Sequence, residues 1–297
     1  MNKKQVVVFG GSGFLGGYVV NELEKRSNYD IIVADIKPSK YFKSTQFAEC
    51  DITNRESVFS VIPQEIDVIY NFAGFANLER AIEEPVLTMN LNVMGNLNIL
   101  EAAKEKNCKQ FVFASSAYAM SNQGSFYGIS KLTSEKLVEE YSKRYKLNFT
   151  IIRYGSVYSE REFSNNYIYI LIKDAINTGK IRHNSDGNEI REYIHAADAA
   201  TLSVDIIENK KFLNQHLILT GSERMRRVEL FEMIKEILGG NVQIELYGSK
   251  LNNHYKITPY SFQPSASKKL VCNPYIDMGQ GILECIKQVN KNKDESI

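Results

Sequence analysis

A glycine-rich turn near the N-terminus constrains the fold of this chain more than any other feature. A β-branched run at 5–9 (QVVVF) leads into the turn, and an apolar helical pattern follows over 15–23. Glycine at three set positions permits a tight turn, close backbone approach to a pyrophosphate and tight helix–strand packing: Gly10, Gly13 and Gly16. The helix N-terminus can then hold phosphate charge. This arrangement predicts a dinucleotide-binding βαβ unit.

Strand-like and helix-like segments alternate through the first half of the chain. Strands are predicted at 30–35, 67–72, 110–114 and 149–153, and helices at 86–106 and 127–145. This alternation predicts an α/β fold, a Rossmann-type doubly wound parallel sheet. We predict an NAD-binding Rossmann domain over 1–160 and a smaller C-terminal substrate-binding lobe over 161–297, some segments of which return to the sheet. Helical patterns in this second part occupy 196–208, 227–238 and 279–291.

Composition excludes several function classes. The chain has 297 residues, 43% hydrophobic and 24% charged, with a net charge of +1. Such a balance provides no global field for nucleic acid or a membrane surface. The four cysteines lack disulfide or metal-site spacing, so no metal is expected. The N-terminal apolar run is too short for a signal peptide or membrane span, which favours a cytoplasmic protein.

Asp35 ends the second predicted strand, about twenty residues beyond the glycine turn. A carboxylate there can accept hydrogen bonds from the adenosine ribose hydroxyls, and it would repel a 2′-phosphate. The glycine turn contains no arginine that would attract such a phosphate, although Lys37 lies close by. The sequence therefore favours NAD over NADP as the cofactor.

Ser116, Tyr127 and Lys131 are the predicted catalytic residues. Tyr127 and Lys131 stand four residues apart in YGISK, which places them on one face of a helix. A nearby cation favours the phenolate and lowers the tyrosine pKa, so Tyr127 can accept a hydroxyl proton as hydride leaves the same carbon. Ser116 follows a strand and can hydrogen-bond the reacting alcohol. A YxxxK motif alone often occurs by chance, and a serine at a strand end often only caps the backbone. The order of the three residues after a dinucleotide-binding turn favours a catalytic role.

These segments resemble the extended short-chain dehydrogenases/reductases that act on nucleotide sugars, such as the UDP-hexose 4-epimerases. The resemblance covers nearly the whole chain and rests on FGGSGFLG (9–16), CDIT (50–53), NFAG (71–74), NVMGNLNILEAA (92–103), FVFASSA (111–117), YGISK (127–131), IIRYGSVY (151–158) and REYIHAADAA (191–200).

The resemblance implies a set of residues around bound NAD. Asp51 and Ile52 would meet the adenine, Asn92 would support the active-site strand, and Tyr154 would lie near the nicotinamide. The full expected set is Gly10, Gly13, Phe14, Leu15, Gly16, Asp35, Ile36, Asp51, Ile52, Phe72, Ala73, Gly74, Asn92, Ala114, Tyr127, Lys131 and Tyr154.

The resemblance also implies substrate-binding residues, namely Ser116, Ser156 and Arg191. In the family the arginine of the REYIH segment grips the diphosphate of the nucleotide sugar, and a guanidinium suits this role because it forms forked hydrogen bonds to phosphate. A surface ion pair is the alternative for Arg191. We expect His195 to be structural. Residues 254–263 either close over the nucleotide or simply pack.

The reaction is less constrained. The family's dehydratases carry Thr-Asp-Glu where this chain has Ser116-Ala117-Tyr118, so dehydration is disfavoured. A 4-dehydrogenase that releases a 4-keto sugar and a 4-epimerase both remain. Only ten residues separate Ser116 from Tyr127, which suggests a more open pocket and is similar to GDP-heptose C4-oxidising enzymes of capsule synthesis. This similarity favours a dehydrogenase of surface polysaccharide synthesis acting on a GDP- or UDP-linked hexose or heptose.

Two further expectations concern partners. Helices 86–106 and 127–145 match those that pair across a two-fold axis in relatives, which implies a homodimer or a dimer of dimers. A non-catalytic protein that senses NAD(H) is an alternative from another class. Such a protein need not keep serine, tyrosine and lysine together, so the intact set counts against it.

Overall fold

A computed structural model describes residues 3–42, 45–248, 254–257 and 267–295. The strands are β1 (Lys4–Phe9), β2 (Tyr29–Asp35), β3 (Gln46–Glu49), β4 (Val68–Asn71), β5 (Gln110–Ser116), β6 (Phe149–Tyr154), β7 (Ser156–Tyr158), β8 (Lys180–His183), β9 (Ile190–Arg191), β10 (Tyr193–His195), β11 (Gln215–Leu219), β12 (Met225–Arg226), β13 (Gln243–Leu246) and β14 (Lys268–Leu270). The α-helices are α1 (Phe14–Arg26), α2 (Arg55–Val61), α3 (Leu78–Glu83), α4 (Pro85–Met89), α5 (Gly95–Glu105), α6 (Ser125–Tyr145), α7 (Tyr167–Thr178), α8 (Ala196–Glu208), α9 (Arg227–Ile237) and α10 (Met278–Asp294). A π-helical turn, Asn90–Met94, joins α4 to α5, and 3-10 turns lie at Ala117–Met120 and Lys210–Phe212.

Eight of these strands form one parallel sheet in the order β14-β11-β6-β5-β4-β1-β2-β3. The chain starts at β1, adds β2 and β3 on one side, and then crosses back to build outward from β4. This order confirms the predicted Rossmann-type doubly wound sheet. The direction of winding reverses between β1 and β4, and in such sheets ligands bind at the carboxyl ends of the strands near this point.

The sheet is buried on both faces, as its near-continuous apolar strands require. In β1, Val6, Val7, Val8 and Phe9 are all fully buried. Helices α1 and α8 pack on one face, and α2, α5 and α6 pack on the other. The carboxyl edge is left for connecting segments and ligands.

A second apolar core lies among α7, α9 and α10, where Ile172, Phe231 and Ile282 are fully buried. The small pair β8–β13 borders it. Strands β11 and β14 and helix α8 come from the second half of the chain but belong to the main sheet and its cover. The division at residue 160 stays a prediction. Within the described ranges, no helix combines the length and apolarity needed to cross a bilayer.

Candidate active site

The glycine turn closes tightly at the carboxyl end of β1. Gly10 has φ +73°, and a Cβ atom there would clash with the backbone of Phe72 and Ala73. A Cβ atom at Gly16 would clash with the carbonyl oxygen of Gly10. Because Gly10 and Gly16 carry no side chain, the turn can pack this tightly, and the first turn of α1 follows directly. The residues present therefore fit the pyrophosphate of a dinucleotide.

Asp35 lies beside this turn at the end of β2. Its carboxylate accepts hydrogen bonds from the backbone N–H of Ser12 (3.0 Å) and from that of Ile36 (2.8 Å). Burial raises the pKa of Asp35, and these backbone N–H groups oppose that rise. Ile36 is 63% exposed, an apolar surface left open at a strand end. The contacts of Asp35 and Ile36 with the adenosine half of a dinucleotide stay predictions.

The predicted adenine contacts lie one strand further along the edge. Asp51 is exposed, and its carboxylate accepts hydrogen bonds from the backbone N–H and the hydroxyl of Thr53, both at 2.8 Å. Ile52 is buried against Gly95 of α5. The adenine contacts of Asp51 and Ile52 stay predictions.

A cleft of about 410 Å³ opens at the carboxyl edge of the sheet, within the size range of small-molecule sites. Fourteen of the residues predicted from the sequence line it: Gly10, Gly13, Phe14, Leu15, Gly16, Phe72, Gly74, Ala114, Ser116, Tyr127, Lys131, Tyr154, Ser156 and Arg191. The other six border the site without lining the cleft: Asp35, Ile36, Asp51, Ile52, Ala73 and Asn92.

The candidate catalytic residues meet where β5 and α6 adjoin. Ser116 ends β5, while Tyr127 and Lys131 lie on the first turns of α6. Burial raises the pKa of Tyr127, and a hydrogen bond with Ser116 lowers it. Lys131 Nζ donates to the carbonyl oxygen of Ala114 at 2.8 Å and lies 5.9 Å from the centre of the Tyr127 ring. In this structure the hydrogen bond that favours the phenolate therefore comes from Ser116, and Lys131 is held by the strand.

A buried ion pair, which was not predicted from the sequence, lies beneath these residues. Glu135, one turn after Lys131, is 1% exposed and accepts two hydrogen bonds from Arg153, at 2.8 and 2.6 Å. It also accepts one from the hydroxyl of Ser115 at 2.5 Å. Burial lowers the pKa of Lys131 to about 8, and the negative charge of Glu135 opposes this shift. The pair joins α6 to β5 and β6.

Two buried polar side chains hold the walls of the cleft. Asn92, in the π-helical turn, accepts from the backbone N–H of Phe75 (2.6 Å) and donates to the hydroxyl of Ser130 on α6 (2.9 Å). Tyr154, at the end of β6, shares a hydrogen bond of 2.7 Å with Ser203. These contacts fix the loop after β4 and one aromatic wall of the cleft.

The substrate side of the cleft is aromatic and cationic. Arg191 is 2% exposed, donates to the carbonyl oxygen of Ile190 (2.9 Å) and stacks 4.2 Å from the ring centre of Tyr255. Tyr255 also hydrogen-bonds Ser156. This burial disagrees with a surface ion pair for Arg191.

The short segment between Ser116 and Tyr127 packs against neighbouring residues of the cleft. The Tyr118 ring packs against those of Tyr127 (6.1 Å between centres) and Tyr255 (4.7 Å), and its hydroxyl shares a 2.7 Å hydrogen bond with His254. The more open pocket expected from the segment length stays a prediction. His254 and Tyr255 line the cleft, whereas 258–263 lie outside the described residues.

His195 lies with Glu160 and Glu284 in a cluster whose spacing would suit a metal ion. However, His195 Nδ1 accepts the backbone N–H of Ala197 (3.2 Å), so the ring proton is on Nε2, which faces Glu160 at 3.3 Å. A protonated nitrogen offers no lone pair to a metal. His195 is the N-cap of α8, and this contact fits the structural role predicted for it.

Comparison with known proteins agrees with this geometry. The model of the NAD dependent epimerase/dehydratase family matches residues 6–219. A putative UDP-glucose 4-epimerase of Methanocaldococcus jannaschii is 25% identical, over 97% of this chain and 99% of its own. An epimerase of Methanothermobacter thermautotrophicus has a similar structure, with a TM-score of 0.87 and 16% identity over 99% of this chain and 94% of its own. The Bacillus cereus UDP-glucuronic acid 4-epimerase, solved with UDP-glucuronic acid and NAD, gives a TM-score of 0.84 at 20% identity, over 97% and 99% of the two chains. The chain therefore belongs to the NAD dependent epimerase/dehydratase family, as an NAD-dependent enzyme of the extended short-chain dehydrogenase/reductase type.

Proposed function

We propose that the protein oxidises a hydroxyl of a nucleotide-linked sugar, at C4 of the sugar ring. One observation carries this proposal: a single cleft joins the glycine turn, the Ser116–Tyr127–Lys131 set and the buried Arg191. A substrate whose phosphates meet Arg191 would extend its sugar towards Tyr127, since Tyr255 and Tyr118 connect the two positions.

The chain's own residues provide the proton transfer. Tyr127 accepts the hydroxyl proton, and Ser116 holds the reacting oxygen and the phenol by hydrogen bonding. Lys131, fixed on Ala114, places a positive charge near the phenol. NAD, when bound, supplies the nicotinamide ring that takes the hydride.

Epimerisation is the outcome that we favour. Among the described residues lining the cleft there is no Asp or Glu, so the acid and base carboxylates of a dehydratase have no counterpart there. The names of the relatives as 4-epimerases support return of the hydride to the other face of the sugar. A 4-dehydrogenase acting on a GDP-linked heptose, with a role in capsule synthesis, stays a prediction from sequence resemblance.

A panel of nucleotide sugars tests the proposal. Protein loaded with NAD is incubated with UDP-, GDP-, CDP- and dTDP-sugars, while absorbance at the NADH band and product mass are followed. An epimerase gives an isomer of unchanged mass without net NADH, whereas a dehydrogenase gives a keto sugar with one NADH per turnover. If no nucleotide sugar is converted while simple alcohols are, the proposal is wrong.

The cofactor preference can be tested separately. Since Asp35 would repel a 2′-phosphate, we expect NAD to bind at least about tenfold tighter than NADP, roughly 1.4 kcal/mol. Calorimetry with both cofactors measures this ratio. Asp35→Asn should narrow the ratio, and Lys37→Ala serves as a control for the neighbouring cation. Equal affinities in the wild-type protein would contradict the role given to Asp35.

Homodimerisation is proposed from an apolar surface on α3, α4 and α6, which pack side by side. Seven large apolar side chains on these helices and the adjoining π-helical turn are exposed: Ile82, Val86, Leu87, Met94, Phe126, Ile129 and Leu132. Val86 is 72% exposed and Ile129 is 55% exposed. Single exposed apolar residues are common, but a group of them on packed helices indicates an interaction surface. The sequence predicts that helices 86–106 and 127–145 pair across a two-fold axis; α4, the π-helical turn and α6 fall largely in these ranges, whereas α3 lies just before the first.

Light scattering tests this assembly. We expect a dimer or a dimer of dimers at micromolar concentration, and Ile129→Asp should shift it towards monomer because a carboxylate would be buried in the interface. Ile170→Asp is a matched control, since Ile170 is also exposed but lies on α7. A monomeric wild-type protein would refute the proposal.

A further inference from the structure

The charge of the cleft is one-sided. Its described lining includes three cationic side chains, Lys131, Arg191 and Arg227, and no carboxylate. Lys131 is held near the catalytic tyrosine by its bond to the Ala114 carbonyl oxygen. Arg191 and Arg227 both line the substrate part of the cleft. Arg227 was not predicted from the sequence to be a site residue.

A short antiparallel pairing brings the two arginines together. Strands β9 and β12 are only two residues long, and Met225 is the partner of Arg191 in their register. Arg227 follows directly as the first residue of α9, and its backbone N–H donates to the carbonyl oxygen of Glu189 at 3.0 Å. Arg227 is therefore fixed beside β9 by backbone bonds that do not depend on its side chain.

The Arg227 guanidinium is held by the side chain of Tyr167, to which it is hydrogen-bonded. It lies 4.4 Å from the ring centre of Tyr167, and its Nε is buried without a hydrogen-bond partner among the described residues. The same holds for Nη2 of Arg191. A buried donor without an acceptor is costly, so two of them facing one cleft indicate acceptors on a ligand.

The neighbouring groups leave an excess of positive charge. Glu189 is the carboxylate that faces Arg227, and it also lies 3.5 Å from Nε2 of His183. Glu192 is bound by Arg224 and Lys269. His254 adds no charge near neutral pH, because burial and the two arginines lower its pKa to about 4. Glu189 is thus shared between Arg227 and His183, and the bond recorded for the Arg191 guanidinium is to a backbone carbonyl oxygen.

We propose that Arg227 is a second anion-binding residue of the substrate site, which together with Arg191 holds the diphosphate of a nucleoside-diphosphate substrate. This inference rests on the proposed function and deepens it. Two forked donors on adjoining backbone segments match a ligand with two linked phosphates better than one with a single anionic group.

Binding of UDP and GDP to NAD-saturated protein tests the inference by calorimetry, with uridine and guanosine as uncharged probes. Whichever diphosphate binds the wild-type protein more tightly is used. We expect Arg227→Met to weaken its binding by about 10- to 100-fold, the loss expected for a charged hydrogen bond. Binding of the matching nucleoside should change less than about twofold, since no phosphate is involved.

The neighbouring arginine provides a matched control. Arg226 is exposed and pairs with Glu229 at the start of the same helix, so Arg226→Met should leave diphosphate binding unchanged. Unchanged NAD affinity reports an intact fold. Should Arg227→Met lose NAD affinity as well, Arg227→Lys replaces it, and a point charge without the fork should still bind several-fold more weakly than wild type.

The outcomes separate the two proposals. If Arg227→Met and Arg227→Lys bind the diphosphate as wild type does, while Arg191→Met loses affinity, Arg227 has no role in binding and the proposed function stands. An equal loss for the diphosphate and the nucleoside also overturns the inference, because it indicates a general distortion. If the wild-type protein binds neither UDP nor GDP, and CDP and dTDP do not bind either, the proposed function itself fails.

Discussion

Replacing Tyr127 by phenylalanine is expected to slow hydride transfer in a single turnover by about 10²- to 10⁴-fold, the usual contribution of a general base. The change removes the hydroxyl that accepts the substrate proton and leaves the ring in contact with Tyr118. Affinity for NAD and for the nucleotide sugar should hardly change, because those contacts lie elsewhere in the cleft. Rapid mixing of NAD-loaded protein with substrate, followed by absorbance, measures the step.

Arg191→Ala should show the opposite pattern. We expect substrate affinity to fall by about 1.5–3 kcal/mol through loss of a charged hydrogen bond, while hydride transfer at saturation changes much less. The two variants thus separate chemistry from binding. If Tyr127→Phe transfers hydride at a near-normal rate while it still binds substrate, the role of Tyr127 as the base is wrong.

Removing one partner of the Glu135–Arg153 pair is expected to lower the free energy of unfolding by about 3–5 kcal/mol, since the other charge is left buried without compensation. Among the residues that the structure describes, Arg153→Met leaves the Glu135 carboxylate with its bond from Ser115 alone. The double variant Glu135→Met, Arg153→Met should recover much of the loss, because neither charge then remains. Denaturant unfolding of all three variants, with two probes to check for a two-state transition, gives the values.

Lys136→Met is the control for this series. Lys136 is the next residue on α6, but its pair with Glu139 is exposed, so its loss should cost less than about 1 kcal/mol. An Arg153→Met variant that is destabilised no more than this control would show that the buried pair contributes little to folding.

Local patterns were enough to predict the cofactor half of the site. The strand–turn–helix context identified the glycines as part of a dinucleotide-binding turn. Such a turn requires glycine, because its tight closure leaves no room for a side chain at Gly10 and Gly16. Ser116, Tyr127 and Lys131 could be found because strand end and helix spacing alone bring them together. The parallel sheet followed from the alternation of elements, although three of its strands, β3, β11 and β14, were missed. The edge strands β3 and β14 have only four and three residues with mixed burial, so they carry little pattern.

Residues that meet through long-range pairing could not be predicted. Arg227 reaches Arg191 only through the two-residue pairing of β9 with β12, which has no periodicity to detect. No local pattern distinguishes Glu135 and Arg153 from ordinary surface charges. In the sequence, Tyr118 was noted only because it stands where the family's dehydratases have a carboxylate. Its ring packs against Tyr255, which lies more than a hundred residues further along the chain and could not be predicted as a neighbour.

The π-helical turn at Asn90–Met94 has a consequence for the length of the chain. Such a turn corresponds to one extra residue in an otherwise regular helix, and the carbonyl oxygen of Asn92 is satisfied there by the hydroxyl of Ser134 (2.7 Å). Deleting one residue here would restore a continuous helix with better backbone bonding. It would also rotate Asn92 away from Phe75 and Ser130 by about 100°. The extra residue thus weakens the local helix bonding while it positions Asn92 to hold the loop after β4.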